Sequence, residues 1–218
     1  MQENWLLIED PASDGQTNMK KDEELFHSIK LDSPPILRLY SWSPPAISLG
    51  YFQTIDQLPE ELKHLTKYDV VKRITGGGAI LHTPEELTLS FFYDGNSDKI
   101  KNDITGLYDF FIDVVKETLS TFEIETTKAQ EIKLPRTQKE FFCFNRREKF
   151  DLVHNNTKIF GVAQRRIKNK VMLHGSIIIK KDESINEQDF LFSPIDKKEL
   201  KKRLIKQIEK KASIKFTK

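Results

Sequence analysis

Cysteine is nearly absent from this chain. Of 218 residues only Cys143 carries a thiol, which excludes an internal disulfide and a zinc site built on cysteines. Long apolar runs are missing too, and none approaches the ~20 residues needed to cross a bilayer. Met1 to Thr17 is polar, carries acids and lacks the apolar stretch of a secretory signal. Together these absences lead us to expect a soluble, cytoplasmic protein in a reducing setting, with no membrane partner. Net charge is scarce as well. The 35 Lys and Arg against 33 Asp and Glu leave +2, too near neutral to argue by itself for nucleic acid as a partner. The balance is uneven, because Lys197 to Lys218 is crowded with lysine and the remainder is net acidic. No internal repeat and no low-complexity linker divides the chain. Glycine numbers only nine, yet three stand together at Gly76, Gly77 and Gly78.

What is present reads as alternating strands and helices. Trp5 to Ile8 predicts a first strand, and Asn18 to Ile29 an amphipathic helix with Asn18 as its N-cap and Asp22 and Glu23 in the early turns. Ile36 to Trp42 and Ala46 to Tyr51, separated by Pro44-Pro45, predict two strands pairing as a hairpin. A short polar helix over Gln57 to Lys67 leads to Val70-Val71, the glycines and a strand over Leu87 to Tyr93. The apolar set from Ile104 through Leu107, Phe111, Val115 and Leu119 to Phe122 predicts a long core helix. Ile124 to Thr127 is a short strand candidate, and Lys128 to Glu140 reads as loop. Phe150 to Val153 and Lys158 to Ile167 flank Asn155-Asn156, a pair that supports positive φ and so a β-hairpin. Val171 to Ile179 pairs next, and Pro194 to Ile214 closes with a basic amphipathic helix. The fold class is α+β, a mixed and largely antiparallel sheet with helices packed on one side. We expect a catalytic domain over residues 1–195, with the basic helix of 196–218 packed on it or extending from it.

Three clusters could carry chemistry. Arg73, Gly76 to Gly78 and His82 form the first. An arginine beside exposed main-chain N–H groups suits an anion or a developing oxyanion, while a tight turn with a surface arginine reads equally well. Gln53 falls at the mouth of the sheet. Lys158, Gly161, Ala163, Gln164 and Arg165 form the second cluster; a lysine there meets a carboxylate or phosphate, or is simply solvated beside its turn. Cys143, among phenylalanines, is either an inert buried thiol or a thiolate nucleophile that needs a cationic neighbour. His82 and His174 lack an acidic partner at ligand spacing, so no intrinsic metal is expected.

The ordered motifs resemble the lipoate–protein ligase and octanoyltransferase family, whose catalytic fold is shared with biotin–protein ligases. The matching segments are NMKKDEEL from Asn18, SLGYFQ from Ser48, KRITGGGAILH from Lys72, ELTLSF from Glu86, KIFGVAQRR from Lys158 and LHGSIII from Leu173. The resemblance implies an enzyme that attaches octanoyl or lipoyl groups to one lysine of a lipoyl carrier domain, in 2-oxoacid dehydrogenases or the glycine cleavage system. By matched position, Arg73 and Gly76 to Gly78 would line the acyl and phosphate or phosphopantetheine channel. Lys158 would be catalytic, and Gly161, Ala163, His174 and Gly175 would shape the pocket. Asp151 falls where ligases carry the aspartate of an Asn-Asp pair, possible nucleotide-side machinery, but Phe150 replaces the asparagine.

Two mechanisms remain open at this point. A cysteine transferase takes octanoate from acyl carrier protein as a thioester and needs no bound cofactor. A ligase activates free lipoate with ATP and Mg²⁺. Cys143-Phe144 resembles the transferases' Cys-Phe pair, and SLGYFQ is transferase-like, whereas GGGA resembles ligases and Thr83 departs from the acidic residue common there. The transfer reading is the favoured one, with Cys143 as nucleophile. The basic terminal helix would attract an acidic carrier domain or present a solvated lysine face.

Overall fold

The computed structural model describes residues 3–96, 100–101, 103–131, 141–143, 148–179 and 195–217. Eleven strands are seen among them: β1 (Asn4–Glu9), β2 (Ile36–Tyr40), β3 (Ala46–Leu49), β4 (Asp69–Lys72), β5 (Ile80–His82), β6 (Glu86–Tyr93), β7 (Thr127–Lys128), β8 (Leu152–His154), β9 (Thr157–Ile167), β10 (Lys170–Ile178) and β11 (Lys215–Thr217). Three α-helices accompany them: α1 (Gly15–Ser28), α2 (Gly106–Ser120) and α3 (Lys197–Ala212). Eight strands form one sheet in the order β11-β1-β2-β6-β10-β9-β8-β7, and β4-β3-β5 form a second. Pairing is parallel at β11/β1/β2 and β3/β4 and antiparallel elsewhere. The fold is therefore α+β with a mixed, largely antiparallel sheet.

Strand alternation gives the large sheet two unlike faces. Leu37 and Leu39 of β2, Leu87, Leu89 and Phe91 of β6 and Leu173 of β10 join Phe111, Val114 and Val115 of α2 and Leu200, Leu204 and Ile208 of α3 in the main core. The opposite face carries Arg38, Tyr40, Thr88, Ser90, His174 and Ser176, all buried. There α1 packs, with Phe26 against Ile36, Phe92 and Met172. Helices thus cover both faces, correcting the one-sided expectation. The periodicity of each helix showed an apolar stripe but carried no information about which side of the sheet it would meet.

Other details differ. β3 is not the hairpin partner of β2; it leaves for the second sheet, where it bridges β4 and β5, while β2 lies between β1 and β6. The cap of α1 is Asp14, whose carboxylate accepts from the Thr17 N–H at 2.8 Å, so Asn18 is buried inside the first turns rather than capping them. The 3₁₀ segments Ile55–Gln57 and Glu60–Lys67 replace the short polar helix. Within 124–131, strand is confined to Thr127–Lys128 and is followed by a 3₁₀ turn; the rest of the loop expected to Glu140 lies outside the described residues. The Asn155-Asn156 hairpin forms as expected, with φ of 45° and 61°. Past α3 the chain adds β11 beside β1, a strand too short and charged to read from sequence.

Candidate active site

The glycine turn joins β4 to β5 and faces the large sheet. Each glycine differs in what it permits. Gly77 has φ of +97°, a left-handed conformation that favours glycine. Gly78 permits close approach, since a Cβ there would stand 2.9 Å from the Phe141 carbonyl oxygen and 3.1 Å from the Cys143 nitrogen. At Gly76 a Cβ would meet nothing within 4 Å.

That approach places Cys143. The Ala79 N–H donates to the Phe141 carbonyl at 2.9 Å, and the Cys143 N–H donates to the Ala79 carbonyl at 2.7 Å. Gln53 braces the same segment, donating from Nε2 to the Phe141 carbonyl at 3.1 Å. Gln53 is therefore a support for the cysteine segment and does not line the pocket. Phe144, the second residue of the expected Cys-Phe pair, lies outside the described residues.

Lys158 enters from β9. Its side chain passes over Gly161, where a Cβ would come within 2.5 Å of Cε and 2.8 Å of Nζ. So Gly161 clears room for the lysine, and any larger residue would displace it. Nζ lies 3.2 Å from Cys143 Sγ and 2.9 Å from Asp151 Oδ2, while Asp151 also accepts the Glu148 N–H at 2.6 Å. Burial opposes the charge on Lys158, but Cys143 and Asp151 outweigh it and hold the amine above the usual lysine range. A buried ammonium thus stands beside a partly exposed thiol. The cavity here measures about 60 Å³, with Cys143, Lys158, Asp151, Gly77, Ala163 and His174 among its walls.

Arg73 belongs to this wall. Its guanidinium donates to the carbonyls of Ser48, Gly76 and Gly78 and to Ser48 Oγ, at 2.7–3.0 Å. Only 3% exposed, it clasps the glycine turn and stands among the residues that line the cavity. His82 is fully buried between Ser48 Oγ and Glu86 Oε1, both at 2.7 Å, and it stacks on Trp42. It therefore supports the wall without lining it. Glu86 also corrects the reading that this histidine has no acidic partner; the i, i+4 spacing across a turn and strand start was the missed signal. Gln164 is bonded to the Ile104 carbonyl and to Arg166, away from the cavity. Gly175 lines the cavity but causes no bulge; it admits Phe160 and Val162, each of which would stand 2.8 Å from a Cβ there. No group of three His, Cys, Asp or Glu among the described residues is placed to hold a metal. No helix among them is long and apolar enough to cross a membrane.

Behind the pocket runs a buried polar network that sequence reading overlooked. Asp22 Oδ1 accepts from Arg38 at 2.6 Å, and its Oδ2 accepts from the hydroxyls of Tyr40 and Ser90, both at 2.8 Å. The Tyr40 oxygen lies 3.2 Å from His174 Nε2. The available signal was Arg38 inside the apolar strand ILRLY, since an interior charge flanked by large apolar residues needs a buried partner.

Residues 14–214 match the family model described as the lipoyl protein ligase A/B catalytic domain. Among curated relatives, "Octanoyltransferase LipM" of Clostridioides difficile is 33% identical over 214 residues, covering 96% of this chain and 77% of that one. "Octanoyltransferase LipM" of Bacillus subtilis is 31% identical over 193 residues, covering 83% and 67%. Among solved structures, lipoate-protein ligase A bound with ATP superposes with a TM-score of 0.76 at 22% identity, over all of this chain and 88% of that one. The bipartite lipoate protein ligase of Thermoplasma acidophilum gives 0.73 at 21% identity, covering 100% and 87%. At these identities the solved structures establish the shared fold.

Proposed function

The chain belongs to the lipoyl protein ligase A/B catalytic domain family, and from that premise we propose that it transfers an octanoyl group to the lysine of a lipoyl carrier domain through a thioester on Cys143. The observation that carries this reading is the 3.2 Å approach of Lys158 Nζ to Cys143 Sγ on the wall of a cavity. Relatives 30–33% identical bear the octanoyltransferase name, which favours transfer over ATP-dependent ligation.

The proposed reaction has two acyl transfers. In the first, the Cys143 thiolate attacks a thioester on acyl carrier protein; the new C–S bond forms, the carrier's C–S bond breaks with its electron pair on the carrier sulfur, and that sulfur takes up a proton from solvent. Lys158 offsets the negative charge on sulfur before attack. Main-chain N–H groups of the glycine turn serve the oxyanion, a contribution of roughly 3–4 kcal/mol per donor where measured. In the second, the amine of the lipoyl-domain lysine attacks the acyl-enzyme. Asp151 holds Lys158 in place and needs no nucleotide for that role. Neither a resident cofactor nor a metal enters this scheme.

The test uses an apo lipoyl domain as acceptor and reads its mass. One reaction contains octanoyl-acyl carrier protein without ATP, and the other contains lipoate, ATP and Mg²⁺. Each is run with native protein and with Cys143→Ala. Modification from the carrier thioester alone, abolished by alanine, is the expected result. Modification only with ATP, indifferent to the alanine, would replace this reading with the ligase mechanism.

A further inference from the structure

The second acyl transfer must remove a proton from the attacking amine, and Lys158 is badly placed to accept it. Its Nζ is already an ammonium, held by the buried Asp151 carboxylate at 2.9 Å. The hydrogen-bond directions behind the pocket identify a different acceptor.

Asp22 is 1% exposed and is gripped by Arg38, so both its oxygens act as acceptors. A phenol has one proton to give, and that of Tyr40 is committed to Asp22 Oδ2. The Tyr40 oxygen can then only accept from His174 Nε2, 3.2 Å away. This fixes the tautomer: Nε2 carries the hydrogen and Nδ1 keeps a lone pair. Among the described residues no hydrogen bond to Nδ1 is seen. His174 pairs across the strands with Ala163, and both line the cavity that holds Cys143 and Lys158. Burial, with His82, Arg73 and Arg38 around it, keeps the ring neutral at rest. Asp22 and Tyr40 face it from α1 and β2, His82 from β5 and Arg73 from the glycine turn.

We propose that His174 is a catalytic residue of the second transfer, its Nδ1 receiving the proton of the carrier lysine as the C–N bond forms, with Tyr40 and Asp22 as positioning residues that set its tautomer. This rests on the cysteine-transfer reading above. The amine lone pair forms the bond to the acyl carbon, and the C–S bond breaks with its electron pair on Sγ. The proton passes through Nδ1 to that sulfur, leaving a Cys143 thiol, a neutral imidazole and the amide. An imidazolium disfavoured by its surroundings hands the proton on readily.

The experiment separates the half-reactions. Full-length protein is charged with octanoyl-acyl carrier protein and followed by intact mass; the isolated acyl-enzyme is then mixed with apo lipoyl domain. In His174→Gln, transfer to the amine should fall about 100-fold or more, the usual scale of general-base catalysis, while acylation slows far less. Histidine-labelled ¹⁵N spectra should show His174 with a bare Nδ1 in native protein and mixed tautomers in Tyr40→Phe, which should also transfer more slowly. Tyr40→Phe keeps the ring and carries the test should His174→Gln fail to fold. Equal losses in both half-reactions, a native Nδ1–H tautomer, or native transfer by His174→Gln would each overturn the proposal. If the native protein forms no Cys143 thioester, the transfer reading falls and takes this one with it. If the thioester forms normally and His174→Gln discharges it normally, only the role of His174 is removed.

Discussion

Replacing Gly161 with alanine should disconnect the lysine from the sulfur while leaving the fold intact. The added methyl would stand 2.5 Å from Lys158 Cε, so the lysine end must retreat by about 1 Å to reach ordinary contact. The strand itself tolerates alanine, which is favoured over glycine in element interiors by roughly 0.5–1 kcal/mol. The gap from Nζ to Sγ would then grow from 3.2 Å to about 4.2 Å, weakening the ammonium–thiolate attraction by about 1.2 kcal/mol at an effective dielectric of ~20. That corresponds to about an eightfold change in any rate that depends on the thiolate. The assay is alkylation of Cys143 by iodoacetamide at fixed neutral pH, with acyl-enzyme formation measured beside it and thermal melts as the folding control. Both rates should drop together by about that factor in a protein that still melts cooperatively. Unchanged alkylation in a folded Gly161→Ala protein would mean that the Lys158 contact does not govern the sulfur.

Asp22→Asn should cost about 3 kcal/mol or more in urea unfolding, because it leaves the buried Arg38 guanidinium without its central counter-charge; a loss under 1 kcal/mol would show that Asp10 alone suffices. His174 also gives the protein an acid sensitivity. Its folded pKa lies below the ordinary value of 6.5, so the unfolded chain binds the extra proton. The stabilisation is complete above that value and is lost as pH falls through it, at up to about 1.4 kcal/mol per pH unit. Urea midpoints taken between about pH 8 and pH 5 should decline less in His174→Gln than in native protein, and parallel curves would refute the assignment. At the hairpin turn, Asn156 has φ of 61°, so Asn156→Val should lower stability by about 1–2 kcal/mol while Asn156→Gly does not, as thermal melts would show.

Much of this architecture could be read from residue order. The long apolar stripe of α2, the Asn-Asn hairpin and the glycine turn each follow from local rules, and the segments resembling a known family brought Cys143 and Lys158 onto one page. Their contact could not be read, because fifteen positions of separation say nothing about whether a turn packs across a sheet. Tertiary pairing decided the misses. Ala46 to Leu49 has a strand's composition, but nothing local chooses between β2 and the second sheet as partner. The alternation of Leu87-Thr88-Leu89-Ser90-Phe91 reads as a sheet with one wet face. Instead every position from Glu86 to Tyr93 is buried, since α1 covers the polar side and supplies Asp22. Arg73 lines the cavity, yet its donors also hold carbonyl oxygens of the glycine turn, partners that its neighbours in sequence did not reveal.

The face beneath α1 also constrains how this chain can drift over generations. Arg38, Asp22, Tyr40, Ser90 and His174 are linked donor to acceptor in one buried chain, so a change at one strands a proton or a charge at the next. Single replacements along it should be purged, whereas concerted ones persist, making the set a unit of epistasis. The oily face opposite, where volumes trade more freely, can diverge one residue at a time.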